Sequence, residues 1–215
     1  MGENNYLMIG APGSGKGTQA KKLAAVMGLP HIATGELFRD LDPNVPVNKK
    51  ILDWISQGNL ATDDQVNALV KIRFAKPDVQ NGYFLDGYPR NVSQAEYFKN
   101  ISQVSDIIYI EVPDSEIEKR IVNRRVCKSC KAEYHLLFIP PKVAGQCDKC
   151  NGELYQRKDD NPEAVKKRLI DFHGLTEPVI PFYEKLGVRI HRIDGLQKPE
   201  KVFEDILESI GYEKK

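Results

Sequence analysis

Short apolar runs without polar alternation recur along the chain, and each sits beside a stretch of helical period. Tyr6-Leu7-Met8-Ile9 is followed by a glycine-rich segment and then by an amphipathic pattern through Gln19, Leu23, Ala24 and Met27 that stops at Gly28. Similar runs lie at Tyr83-Phe84-Leu85, Ile107-Ile108-Tyr109-Ile110 and Val188-Arg189-Ile190, with a weaker fifth strand at His31-Ile32. Strands that lack alternation are covered on both faces, so the pattern predicts an α/β fold with a five-stranded parallel sheet flanked by helices. Ligands of such a sheet bind beyond the carboxyl ends of its strands.

Two segments break this rhythm. Residues 33–62 read as mostly helical, with Pro43 and Pro46 bending the connection, and residues 123–160 are rich in Cys, Lys, Gly and Pro with little helical period. Both are read as insertions on one core, which would then comprise residues 1–32, 63–122 and 161–215. Trp54 and the scattered Phe and Tyr residues read as core or lobe packing.

The composition removes several classes of protein. A chain of 215 residues with 41% hydrophobic and 28% charged residues has enough material for a real core and is not intrinsically disordered. With 31 Lys+Arg against 30 Asp+Glu it lacks the excess of positive charge that marks a nucleic-acid coat. It contains no run of about 18 apolar residues that would span a membrane, and its start lacks the pattern of a signal peptide, so a soluble cytoplasmic protein is expected. The four cysteines form two Cys-x-x-Cys pairs, a metal spacing rather than a stapling pattern, and fit a reducing compartment.

The strongest chemical signal is the run Gly10-Ala-Pro-Gly-Ser-Gly-Lys16-Gly-Thr18. Its glycines let backbone N–H groups turn inward around phosphate oxygens at a helix N-terminus, and Lys16 adds a point charge. The residue after the lysine is Gly17, which lacks the hydroxyl that usually holds Mg²⁺ in phosphate-loop proteins. The metal of a bound nucleoside polyphosphate would then be held largely through water.

Further motifs follow in order: Thr34-Gly-Glu-Leu-Phe-Arg39; Leu85-Asp-Gly-Tyr-Pro-Arg90 with Gln94; Arg120-Ile-Val-Asn-Arg124-Arg125; and Arg157-Lys-Asp-Asp160 with Arg168. Together with the phosphate loop they resemble the adenylate kinase family, in its long-lid bacterial form with a zinc site in the lid, over residues 6 to 205. The resemblance implies the phosphate-loop nucleoside monophosphate kinase fold and reversible transfer of the terminal phosphoryl group of MgATP to AMP, giving two ADP. It implies that residues 33–62 form an AMP-binding lobe and residues 123–160 the lid.

By that resemblance Gly13, Ser14, Gly15, Lys16, Gly17 and Thr18 wrap the ATP phosphates. Arg90, Arg157 and Arg168 clamp the transferring phosphoryl group and the AMP phosphate, which Arg39 also faces. Arg120 and Arg124, placed four apart on one expected helix, share a face and reach the ATP side together. Asp86 orients the water shell of Mg²⁺ in place of the missing hydroxyl. Glu133-Tyr134 and the backbone at Gln197 touch ATP, although Thr is more usual at position 133. AMP specificity rests on Thr34, on Asn59-Leu60-Ala61, on Gly87-Tyr88-Pro89 and on Gln94, whose amide suits the N1 and 6-amino edge of adenine. Asp160 or Asn161, with Pro162 and Glu163, starts the helix that lets Arg157 and Arg168 converge.

Cys127-x2-Cys130-x16-Cys147-x2-Cys150 has the spacing of a closed four-thiolate zinc site, which predicts a structural metal. The spacing does not separate zinc from iron or cobalt. His135 reads as a hydrogen-bonding lid residue in preference to a fifth ligand. The expected partners are ATP, AMP and ADP, with no nucleic acid and no membrane, and the family resemblance implies a monomer. Two other readings share these motifs: a kinase of CMP, UMP or GMP, and a zinc-ribbon regulatory module that binds nucleotide.

Overall fold

A computed structural model describes residues 4–56, 59, 61–157 and 160–212. Its centre is a parallel sheet of five strands: β1 (Asn5–Gly10), β2 (His31–Ala33), β3 (Tyr83–Asp86), β4 (Asp106–Glu111) and the late strand Arg189–Asp194, in the order β2-β3-β1-β4 followed by that late strand. Leu7 stands level with Leu85 and Ile107, so the sheet centre is apolar on one face. Tyr6 and Met8 point the other way, and pack with Phe84, Ile108 and Ile110 against the first and last helices. Both faces are thus covered, which explains the unalternated runs. The late strand is an edge strand whose charged Arg189, His191 and Arg192 pair with Asp106 and Glu111. Its largely polar composition hid the four residues, His191 to Asp194, beyond the apolar run read from the sequence.

Helix α1 (Lys16–Met27) follows the glycine loop and stops at Gly28 as expected, and the φ of 66° there makes it a left-handed cap. After β2 come α2 (Thr34–Arg39), α3 (Pro46–Ser56) and α4 (Asp63–Phe74). Pro46 opens α3, a position where its missing N–H costs nothing. Trp54 does not pack inward as the sequence reading held: it is 52% exposed on α3, a short amphipathic helix whose inner face is supplied by Ile51 and Ile55.

Helix α5 (Val92–Phe98) follows β3, and α6 (Asp114–Val122) follows β4. A small antiparallel sheet then forms from β5 (Arg124–Cys127), β6 (Glu133–His135) and β7 (Leu154–Tyr155), with β5 in the middle. The chain returns to the core through α7 (Pro162–Asp171), capped by Asn161 as its Asn-Pro-Glu start requires. A single π turn, Phe172–Thr176, leads into α8 (Val179–Glu184), the edge strand β8 (Arg189–Asp194) and α9 (Pro199–Ser209). No helix among the described residues is long and apolar enough to cross a membrane.

A second expectation also fails. Arg120 and Arg124 do not share a helix face, because α6 ends at Val122 with Asn123 as its cap and Arg124 opens β5. Strand pairing of Arg124 with His135 and of Arg125 with Tyr134 outweighs continuation of the helix.

Candidate active site

The carboxyl ends of β1, β2 and β3 open into a cleft of about 710 Å³. The small sheet and α7 close it from one side, and α2 to α4 from the other. Its lining brings together Lys16, Thr18, Thr34, Arg39, Asp86, Arg90, Gln94, Arg124, Glu133, Arg157 and Arg168, residues from six separate stretches of chain.

The phosphate loop shapes the floor. Gly13 and Gly15 have φ of 83° and 95°, a region that opens the loop inward and that side chains with a Cβ rarely adopt. Lys16 reaches back to the carbonyl of Ala11 at 3.3 Å. Its ammonium lies deep in the cleft: burial pulls its pKa down to about 8, Asp86 opposes that, and Arg90, Arg168 and Arg124 add to it.

Asp86 explains Gly17. A Cβ at Gly17 would stand 3.0 Å from Asp86 Oδ2, so the carboxylate takes the space that a side chain after the lysine would fill. Burial raises the Asp86 carboxyl, but His31, 3.8 Å away, and Lys16 override it and hold it below the usual carboxylate range. Asp86 Oδ1 is buried without a hydrogen-bond partner, which suits a carboxylate awaiting a hydrated cation. At Gly87, φ is 81° and a Cβ would lie 2.9 Å from Thr34 Oγ1, so glycine is required there. The Thr34 hydroxyl donates to Gly87 O at 2.9 Å, and Arg90 Nε donates to the same carbonyl at 2.7 Å.

The arginines are held by carboxylates that the sequence motifs did not assign to them. Arg124 donates Nε to Asp160 Oδ2 at 2.9 Å and Nη2 to Oδ1 of the same fully buried carboxylate. Arg168 Nη1 lies 3.8 Å from that Oδ1. Arg157 pairs with Glu133 at 2.7 Å, and Glu133 also accepts from Thr18 Oγ1 at 3.3 Å, tying the small sheet to the phosphate loop. The only sequence signal for Asp160 is its place in Arg-Lys-Asp-Asp, read there as a helix start.

The remaining candidates fall at the margins or elsewhere. Ala61 and Asn59 line the cleft, Asn59 accepting a hydrogen bond from Lys167, while Leu60 lies outside the described residues. Tyr88 and Pro89, joined by a cis peptide bond, line a smaller adjoining cavity with Lys16, Arg90 and Arg168. Ser14 is buried in the loop. Arg120 donates to Gly195 O at 2.8 Å and lies over the Phe138 ring. Gln197 bonds to Asp205. The Tyr134 side chain turns away from the cleft, its hydroxyl 3.4 Å from Cys147 Sγ.

All four cysteines are free thiols whose Sγ atoms lie within 4.8 Å of one another. A tetrahedral ion with metal–sulfur bonds of about 2.3 Å needs sulfurs about 3.8 Å apart, and the set fits that requirement. The Tyr134 hydroxyl, against the opposing effect of burial, and then the backbone N–H groups of Lys149 and Cys150 bring the Cys147 thiol down to about 6, which favours the thiolate a metal binds. His135 stands apart from the cluster: its Nδ1 accepts from the Leu137 and Phe138 N–H groups.

A family model described as Adenylate kinase matches residues 8–188. An adenylate kinase of Geobacillus sp. (strain WCH70) is 44% identical over 96% of this chain and 98% of its own length. That of Syntrophobacter fumaroxidans is 43% identical over 96% and 100%, and that of Clostridioides difficile 44% over 95% and 97%.

The Asp160 carboxylate makes a stability prediction. Replacing it with Ala strands the Arg124 guanidinium beside a buried site, and urea denaturation of the ligand-free protein should show a loss of about 3–5 kcal/mol. A loss below about 1 kcal/mol would show that this pair is not structural.

Proposed function

This chain belongs to the adenylate kinase family and is an ATP:AMP phosphotransferase, and we propose that the cleft residues divide that reaction as follows. Residues 13–18 hold the ATP phosphates, with Lys16 at the β and γ oxygens and Thr18 at the edge of the loop. Arg120, Glu133, Tyr134 and the backbone at Gln197 complete the donor side, with Tyr134 acting through the cysteine cluster it supports. Thr34, Arg39, Asn59, Leu60, Ala61, Gly87, Tyr88, Pro89 and Gln94 form the acceptor side. Arg90, Arg124, Arg157 and Arg168 surround the phosphoryl group between the two.

The chemistry follows from charge. An oxygen of the AMP phosphate bonds to the γ phosphorus as the bond to the β–γ bridging oxygen breaks, and ADP departs with that electron pair. Such a transition state needs placed positive charge rather than a covalent group from the protein. Mg²⁺, when bound with ATP, neutralises charge on the β and γ oxygens; Asp86 would hold it through water. The observation that carries this reading is the convergence of Lys16, Arg90, Arg124, Arg157 and Arg168 on one cleft from separate segments.

Residues 33–62 act as the AMP lobe and 123–160 as a lid on the core of 1–32, 63–122 and 161–215. Closure over both substrates excludes the water that would hydrolyse ATP. Zn²⁺ on Cys127, Cys130, Cys147 and Cys150 makes the lid a rigid body, since so short a segment lacks a core of its own beyond Tyr134 and Leu154. The protein works as a cytoplasmic monomer on ATP, AMP and ADP, with neither nucleic acid nor membrane as partner.

A coupled assay of ADP formed from ATP and AMP tests the assignment. Lys16→Ala and Arg90→Ala should each slow turnover by on the order of 10²–10³-fold while the melting transition persists. Wild-type turnover in either variant removes that residue's role. Metal analysis of the purified protein should find one zinc per chain, and Cys147→Ser should lose it and lower the melting temperature. Full stability without metal would remove the structural assignment.

A further inference from the structure

We propose that Asp63 is a positioning residue that sets the base specificity of the acceptor site by locking the Gln94 amide in one of its two orientations. This rests on the reading of Gln94 as the side chain that meets the acceptor base.

The lock is made of groups that have no choice of role. Asp63 is the first residue of α4, and its Oδ1 accepts from Gln94 Nε2 at 2.8 Å and from Asn91 Nδ2 at 2.9 Å. On the other side of the same amide, the backbone N–H of Arg90 donates to Gln94 Oε1 at 2.8 Å. A carboxylate can only accept and a backbone N–H can only donate, so the two ends of the Gln94 amide are assigned by chemistry. Asn91 is oriented by the same logic: its Oδ1 accepts from Gln94 N at 2.8 Å, capping α5, while its Nδ2 is committed to Asp63. Gln94 is almost wholly buried, at 3% exposure, and thus has no solvent with which to offset a wrong pairing.

An amide has two hydrogens on nitrogen and two lone pairs on oxygen. The lock uses one of each, which leaves one donor and one acceptor in a fixed order at the cleft, where Asp63, Asn91 and Gln94 all contribute to the lining. Adenine presents an acceptor at N1 beside a donor at the 6-amino group, the complement of that order. Hypoxanthine presents the reverse, a donor at N1 and an acceptor at O6. To accept it, Gln94 must flip, which sets its NH₂ against the Arg90 N–H and its oxygen against the Asp63 carboxylate. Both contacts are repulsive, so the rejection of a 6-oxopurine is built by repulsion as well as by attraction. The Arg90 N–H belongs to the backbone of a residue in the cleft, so the Asp63 half of the lock is the one to mutate.

The test compares AMP with IMP, which differ only at this edge, as acceptors at fixed MgATP. In Asp63→Asn the new amide can itself turn to donate to a flipped Gln94. The ratio of kcat/KM for AMP to that for IMP should then fall about tenfold or more, through the acceptor KM, with the KM for ATP unmoved. Both substrates are measured on one preparation, so the ratio is independent of the folded fraction. Asp63→Ser is a second variant with the same expected direction. Asp64→Asn removes the same charge from the same helix turn at an exposed position and should keep the wild-type ratio. A ratio within twofold of wild type in both Asp63 variants overturns the proposal. So does an equal fall in Asp64→Asn, which would assign the effect to helix charge. A wild-type ratio in Gln94→Leu would instead overturn the reading of Gln94 on which the proposal stands.

Discussion

Mutual repulsion among cations is the constraint around which this molecule is arranged. Lys16, Arg90, Arg124, Arg157 and Arg168 share one cleft, where burial first, and then the field of Arg90, Arg168 and Arg124, weakens the hold of Lys16 on its proton. Such a cluster forms only because carboxylates from distant segments divide it. Asp86 faces Lys16 from the end of β3, Asp160 takes Arg124 and Arg168 from the turn before α7, and Glu133 takes Arg157 from the small sheet. Removing two charges from water is costly, and these pairs are best understood as devices for placing arginines rather than as sources of stability.

The scaffold serves that placement at several scales. A parallel sheet with both faces covered aims the ends of β1, β2 and β3 at one point, and the glycine loop brings the N-terminus of α1 to the same place. The small sheet delivers Arg124 and Glu133 from adjoining strands, its register fixed by Arg124 opposite His135. Cys127 and Cys147 pack with Tyr134 and Leu154 in the small core of this segment, and the four thiol sulfurs gather within 4.8 Å of one another. At the wall of the cleft the same division is made with hydrogen bonds, where one oxygen of Asp63 accepts from the Asn91 and Gln94 amides together.

The sequence was most legible where chemistry is contiguous. The phosphate loop, the sheet strands at residues 6–9, 83–85 and 107–110 and the Gly28 stop are each written within a few residues and need no knowledge of the fold. The short strand at 31–32 follows from its place in the alternation more than from its own pattern, and of Asp160 and Asn161 it is Asn161 that caps the helix. Arg120 and Arg124 were misjudged because helical spacing continues past the point where strand pairing with Glu133–His135 ends the helix at Val122. Trp54 was misjudged because aromatic size suggests burial, while the inner face of α3 is filled by Ile51 and Ile55. The partners of the arginines were hidden for a different reason. Arg124 and Asp160 are 36 positions apart, and Asp63 and Gln94 are 31 apart, so nothing local announces either contact.

If burial and repulsion among cations together constrain the cleft, the ammonium of Lys16 must record their joint effect. An NMR pH titration of Lys16 with isotope-labelled lysine, in the ligand-free protein and in the ADP complex, reads it directly. A pKa of about 8 is expected in the free protein, well below the ordinary 10.5, and a return toward the ordinary value when polyphosphate supplies the missing negative charge. An ordinary value in the free protein, unchanged by nucleotide, would contradict the account.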